Sequence, residues 1–149
     1  MTSSISDIAS ALSVIGRSAP GITASFYPPP PGINSAALPC AYVVTGDAEY
    51  VFDYNEACYV EIRTFQIRVA VFMSGQGDPH QVEKHISPLI QSVANAYMAR
   101  PHLPGLADVR RIIVLNDSGP ILLEEYGGKH FGFSLQIRVE IVKPREYKP

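Results

Sequence analysis

Residue types able to run a reaction are sparse in this chain, and each cluster of them misses a requirement of the chemistry it suggests. Gly75-Gln76-Gly77 stands between a strand pattern and a helix pattern, where a glycine loop can turn backbone N–H groups toward a dinucleotide pyrophosphate. The third glycine position of that fingerprint is His80, and Asp78-Pro79 at the helix start adds a negative charge and removes a donor. Gly128-Lys129 matches the end of a phosphate loop, but Leu123 holds the first glycine position, His130 holds the Ser/Thr position, and a strand pattern follows. His80 and His85 are five residues apart, so on a helix they point about 140° away from each other and cannot share a metal without ligands from elsewhere. His102 and His130 sit beside turns, and no Cys-x-x-Cys, His-Glu-x-x-His or Gly-x-Ser-x-Gly motif is present. Glu124-Glu125 beside Tyr126 offers two carboxylates, but adjacent side chains diverge, and a solvated loop is expected. The sequence therefore predicts no catalytic, cofactor-binding or metal-ligating residue and no enzyme activity.

Composition narrows the remaining classes. A chain of 149 residues fits a single domain that hides roughly 70% of the surface its unfolded form exposes. Hydrophobic residues make up 46% and charged residues 17%, an apolar and lightly charged mixture that argues against disorder and for some apolar surface meeting a partner. A net charge of -2 lacks the positive footprint that neutralising nucleic-acid phosphates requires, so sequence-specific DNA binding is not expected. The start Met1-Thr2-Ser3-Ser4 lacks the basic and apolar regions of a secretory signal, so Cys40 and Cys58 are expected as thiols in a reducing cytosol. Pro, Gly and polar residues break every uncharged stretch short of the ~20 apolar residues that a spanning helix needs, and no membrane segment is predicted.

The elements that must position any functional surface follow from periodicity. Ile5, Ile8, Leu12 and Ile15 recur at spacings of three and four, predicting a helix over about 4–16 capped by Ser4 or Ser6 and ended by Gly16. Four prolines make 27–32 an extended connector. Leu38 to Thr45 reads as a first strand, Gly46-Asp47 as a turn, and Tyr59 to Met73 as a long second strand. In that strand Phe65, Ile67, Val69 and Val71 point one way and Thr64, Gln66 and Arg68 the other; a parity change upstream predicts a bulge or twist near Arg63. Asp78-Pro79-His80-Gln81 starts a helix over 78–100 whose face is Val82, Ile86, Leu89, Ile90, Val93 and Tyr97, with a kink or a second start at Pro88. Val109 to Leu115 reads as a third strand, and a fourth alternates Phe131, Phe133, Leu135, Ile137, Val139 and Ile141 against Ser134, Gln136, Arg138 and Glu140. The expected fold is α/β (α+β): a mainly antiparallel sheet of about four strands, one long kinked helix on one face, a short N-terminal helix and a C-terminal tail at 144–149.

Phe65-Gln66-Ile67-Arg68-Val69 and Leu135-Gln136-Ile137-Arg138-Val139 share a pattern, which reflects a common environment, buried on one face and polar on the other. The polar face would carry Gln66, Arg68, Gln136, Arg138 and Glu140, and with Tyr126 it is the expected interface for neighbouring subunits. Loops at 46–58 and 116–130 and both chain ends are the segments able to reach those neighbours.

The order of features resembles the tail-terminator, or tail-completion, proteins of long-tailed bacteriophages, small α/β proteins with an N-terminal helix, a long antiparallel sheet and one helix across it. The resemblance rests on the strand Tyr59 to Met73, the helix at 78–100 followed by Pro101-His102-Leu103-Pro104-Gly105-Leu106, the strand at 109–115, and Tyr126-Gly127-Gly128 with Phe131 before the last strand. It does not extend to Pro28–Pro31 or to 144–149. It implies a virion protein assembled in the host cytoplasm as a homo-oligomeric ring of six copies. That ring would cap the tail tube and join it to the head connector or neck protein, with genome DNA passing through and no cofactor or membrane involved. Three other readings stay open: another minor tail or neck protein of the same fold, a small-ligand module using the 75–81 helix start, or an enzyme using a site without a recognised motif.

Overall fold

The computed structural model describes residues 3–52, 57–76, 78–124 and 128–144. In chain order it holds α1 (Ile5–Ser18), β1 (Ala24–Phe26), β2 (Cys40–Val51), β3 (Cys58–Met73), α2 (Pro79–Met98), β4 (Val109–Asp117), β5 (Ile121–Leu123) and β6 (His130–Pro144). One sheet runs β1-β2-β3-β6-β4, with β5 also paired to β6. All its pairings are antiparallel except that of β1 with β2. The expected four-strand sheet with a kinked helix is thus corrected to a mixed six-strand sheet with two helices. The two added strands, β1 and β5, are three residues each, too short for alternation to declare itself; their partners define them.

Both helices lie on one face. Ile8, Leu12 and Ile15 of α1 and Ile86, Val93 and Tyr97 of α2 are buried with the inward positions of the sheet, Ala41 and Val43 of β2, Phe65, Ile67 and Val69 of β3, and Phe133 to Ile141 at every second residue of β6. The Tyr97 hydroxyl donates to the Leu12 carbonyl at 2.7 Å and ties the helices together. Ser4 caps α1 in a reciprocal box with Asp7. The helix runs two residues beyond Gly16, which is a close-packing position: a Cβ there would lie 2.9 Å from the Tyr97 hydroxyl oxygen. No helix among the described residues is long and apolar enough to cross a membrane.

Three further expectations change. α2 is unbroken through Pro88, which is exposed, so the one helical bond that proline removes, to the Lys84 carbonyl, faces water. β2 does not turn at Gly46-Asp47 but continues to Val51, with a register shift between Thr45 and Ala48. That bulge is possible because the Thr64 carbonyl oxygen sits 2.5 Å from where a Cβ on Gly46 would be. The β3–β6 register, by contrast, is regular from Cys58 to Ala70. The parity change in β3 is real but is no bulge of that strand: Glu61 and Arg63 hold inward positions, aligned with the core residues Ile141 and Val139.

Among the described residues, the sheet face away from the helices is covered at one end. There Phe26, Ile33, Ala37 and Leu38, from β1 and the proline-rich connector, pack over Cys40, Ala70 and Leu123. Cys40 aligns with Ala70 and Cys58 aligns with Pro144, so the thiols stand twelve β3 residues apart, about 40 Å, and form no disulfide. Burial pushes the Cys40 thiol up to about 11, which keeps it protonated and inert.

Candidate assembly surface

Beyond that covered end no element among the described residues lies over the outer face of the sheet, and Gln66, Arg68, Gln136, Arg138 and Glu140 stand on it in register. Arg68 pairs with Ser134, Gln66 with Gln136, and Thr64 with Arg138. Arg68 is braced by its own strand, donating from Nε and Nη2 to the Gln66 Oε1 at 3.1 and 2.7 Å. Gln136 accepts from the Asn116 side chain at 3.0 Å. Tyr126 lies outside the described residues, as do Glu125 and Gly127.

Glu140 has a different role from its neighbours. It is only 3% exposed, although it belongs to the solvent-side face. Arg111 Nε donates to both of its carboxylate oxygens at 3.1 and 2.9 Å, and Arg138 Nη2 lies 3.5 Å away. A carboxylate withdrawn from water in this way is tolerable because two guanidinium groups surround it. It fixes both arginines while their heads remain accessible, Arg111 about half and Arg138 about a third exposed. Arg138 Nε is itself buried and has no hydrogen-bond partner among the described residues, so only the outer part of this head is open to a partner. Beside it runs a groove over Ile62 and Thr64, bounded by Asp47 and Glu49 on one side and by Leu115 and Arg138 on the other.

The second part of this surface lies in the segment 46–58, expected as a loop able to reach a neighbour; its first residues instead continue β2 to Val51. Toward the β2–β3 connection, an arm of the sheet that β6 flanks as far as Pro144, β2 and its end leave three large side chains partly exposed, Tyr50, Val51 and Phe52, at 49, 38 and 54%. Tyr59 packs against Tyr50 and Phe52 with ring centroids 6.0 and 5.3 Å apart. A charge network ties the arm down. Buried Glu61 accepts from Arg63 Nε at 3.1 Å and pairs with Lys143 at 3.2 Å, while Arg63 also donates to the Gly46 carbonyl at 2.7 Å and to the Tyr50 hydroxyl at 3.3 Å. At the same end Ser3 anchors α1 to β4: its N–H and hydroxyl donate to the two carboxylate oxygens of Asp108 at 2.6 and 2.5 Å. Burial alone would raise the Asp108 carboxyl; the Ser3 hydrogen bonds and the charge of Lys143 outweigh it and hold the group below its ordinary value. The readable signal for the network was charge at positions where period-two alternation demanded an apolar residue, Glu61 and Arg63.

The chemistry weighed at the outset gains no support from the geometry. Asp78 caps α2 by accepting from the Gln81 N–H at 2.9 Å, filling a donor an anion would need, and the Gln81 side chain bonds His85 at 2.8 Å rather than completing a box. Gly77 is outside the described residues. Among the described residues no three His, Cys, Asp or Glu side chains gather closely enough to hold a metal. No protein-family model matches the chain, and no curated protein matches it.

His130 is the one histidine in the interior. It is 2% exposed, aligned with Met73 and Leu123, and neither ring nitrogen has a hydrogen-bond partner among the described residues. Burial lowers its pKa below the ordinary 6.5, so the unfolded chain takes up a proton before the folded one does. The resulting stability is complete above about pH 6.5 and is lost as pH falls from there through the lower folded value. His130→Leu is expected to keep or raise stability at pH 7 by about 1 kcal/mol, since it removes polar atoms that find no partner. It should also flatten the acid slope, measured as urea midpoints at pH 7.5 and 5.5; an unchanged slope would show that His130 does not carry it.

Proposed function

We propose that this chain is a structural subunit of a long-tailed phage virion. In this reading it forms a homo-oligomeric ring of the tail-terminator type that caps the tail tube and receives the head connector, while genome DNA passes through without sequence-specific binding. The observation that carries the reading is the outer face of the sheet, which the described residues leave uncovered beyond one end and where a buried carboxylate, Glu140, holds Arg111 and Arg138 in place with accessible heads. Ordering two long cations over a desolvated acid is unfavourable for a surface that meets only water, and it preorganises charge for a partner surface. The exposed Tyr50, Val51 and Phe52 add apolar area of the kind found at interface cores. The order of elements, with a helix across a long antiparallel pair, adds the resemblance.

The test is electron microscopy of particles assembled with and without this chain. Without it, tails of irregular length that fail to join filled heads are expected, with joining restored when the purified chain is added. Complete, infectious particles assembled in its absence would refute the assignment.

A further inference from the structure

The two lateral edges of the sheet differ in charge and match in length. β1 pairs β2 only from Cys40 to Tyr42, so from Val43 to Val51 the outer edge of β2 has no strand beside it among the described residues. β4 likewise has β6 on one side and no strand on the other. Cross-strand rows connect these edges at the same heights. Val43, Ile67, Leu135 and Asp117 form one row, and Tyr50, Glu61, Ile141 and Val109 another. Each open edge thus spans the same rows as the other, on opposite sides of the molecule.

Charge sorts along the same axis. β2 carries Asp47 and Glu49 and no Lys or Arg, whereas β4 carries Arg110 and Arg111 at its start, level with Glu49, and Asp117 at its far end. One row of the outer face begins at Glu49, crosses Ile62 and Glu140, and ends at Arg111. Both of its ends are exposed.

We propose that copies of this chain join head to tail through these edges, the acidic edge of β2 in one copy against the basic edge of β4 in the next, with Glu49 meeting Arg111. The proposal rests on the reading that the chain assembles with itself and goes beyond it by naming the joint. Because β4 runs opposite to β2, a neighbour related by rotation about an axis along the strands presents its β2 antiparallel to β4, continuing the sense of the sheet. A second copy is the fitting occupant because one chain carries both halves at matching heights, which is the requirement for a heterologous contact that can close into a ring. The Ile112 N–H already donates to the Pro101 carbonyl at 2.8 Å, and β4 is irregular between Val109 and Arg111 and between Val114 and Asn116. Continuous strand pairing is therefore obstructed at the Arg111 level, and the joint is made there by side chains. Charge then selects the partner edge, while the irregular backbone discourages indiscriminate edge-to-edge stacking.

The test is charge exchange between copies, read as molar mass by light scattering across a dilution series. Glu49→Lys alone should weaken association about tenfold or more, since the introduced lysine would then face Arg111, and Arg110→Glu alone should weaken it as well, since it reverses the charge beside Arg111 on the β4 edge. Arg110 is the variant of choice because Arg111 also covers Glu140. A one-to-one mixture should regain the wild-type mass, because each altered edge then finds its complement. Glu49→Lys associating as tightly as wild type overturns the joint, and so does a mixture of two folded variants that recovers nothing. Should Arg110→Glu fail to fold, the exposed Glu49→Lys decides the matter alone. Wild-type chains that never associate would remove the self-assembly reading itself, a different result from variants that assemble unperturbed.

Discussion

Gly132→Ala is expected to destabilise the protein by about 3 kcal/mol or more, a fall of roughly 6–12 °C in Tm for a domain of this size. Gly132 is buried in β6, aligned with Ala70 of β3 on one side and Ile121 of β5 on the other. A Cβ built there would lie 1.8 Å from the Val69 carbonyl oxygen and 3.1 Å from Leu123 Cδ1. The nearest obstacle is backbone in the central strand pair, which cannot rotate aside as a side-chain tip could. The methyl group must therefore push β3 and β6 apart next to the irregularity between Ala70 and Phe72, disrupting the ladder on which the arginine face is built. Thermal melts of wild type and variant provide the check; a fall below about 2 °C would show that the strands separate freely there.

Glu61→Ala should cost about 3 kcal/mol and loosen the hairpin arm selectively. Its carboxylate is buried between Arg63 and Lys143, whose side chains are only 13 and 20% exposed. Removing the acid leaves two half-desolvated cations without their counter-charge, and it frees Arg63 to leave the Gly46 carbonyl at the β2 bulge. The aromatic contacts of Tyr59 with Tyr50 and Phe52 depend on the same stretch of strand. Urea unfolding followed by limited proteolysis separates the two effects: a lower midpoint, with the first cut near the arm. A stability loss under 1 kcal/mol with wild-type proteolysis would mean that the network contributes little to holding the arm.

Much of the core was legible because period-two alternation is hard to mistake. Phe65, Ile67 and Val69 and then Phe133, Leu135, Ile137, Val139 and Ile141 face inward as read, and Ile86, Val93 and Tyr97 mark the buried line of α2. The caps at Ser4 and Asp78 were legible from local chemistry alone. The strand count was not, since β1 and β5 exist only through their partners. Gly46-Asp47 has the same residue types in a turn as in a bulge, and only the Thr64 carbonyl across the ladder decides between them. Pro88 forecasts a break in a helix seen in isolation, yet its missing donor points to water, and the packing of Ile86 and Val93 carries the helix through.

The surface was legible in part for the same reason. Arg68, Gln136 and Arg138 were placed on one face by alternation, and alternation put Glu140 there too. Its withdrawal from solvent depends on Arg111, twenty-nine residues away in the chain, which no local pattern can announce. The lateral edges are a property of strand order rather than of any segment, so their opposite charges emerge only once β4 and the part of β2 beyond β1 are seen to form the open edges.

Self-association is the claim on which this account depends, and the molar mass of the purified full chain in solution tests it most directly. Light scattering across a concentration series is predicted to give a discrete multiple of the 16.3 kDa subunit, consistent with a closed ring, that dissociates as salt weakens the charged joint. A single 16.3 kDa species at every concentration and salt level, with no binding to purified tail tubes, would contradict it.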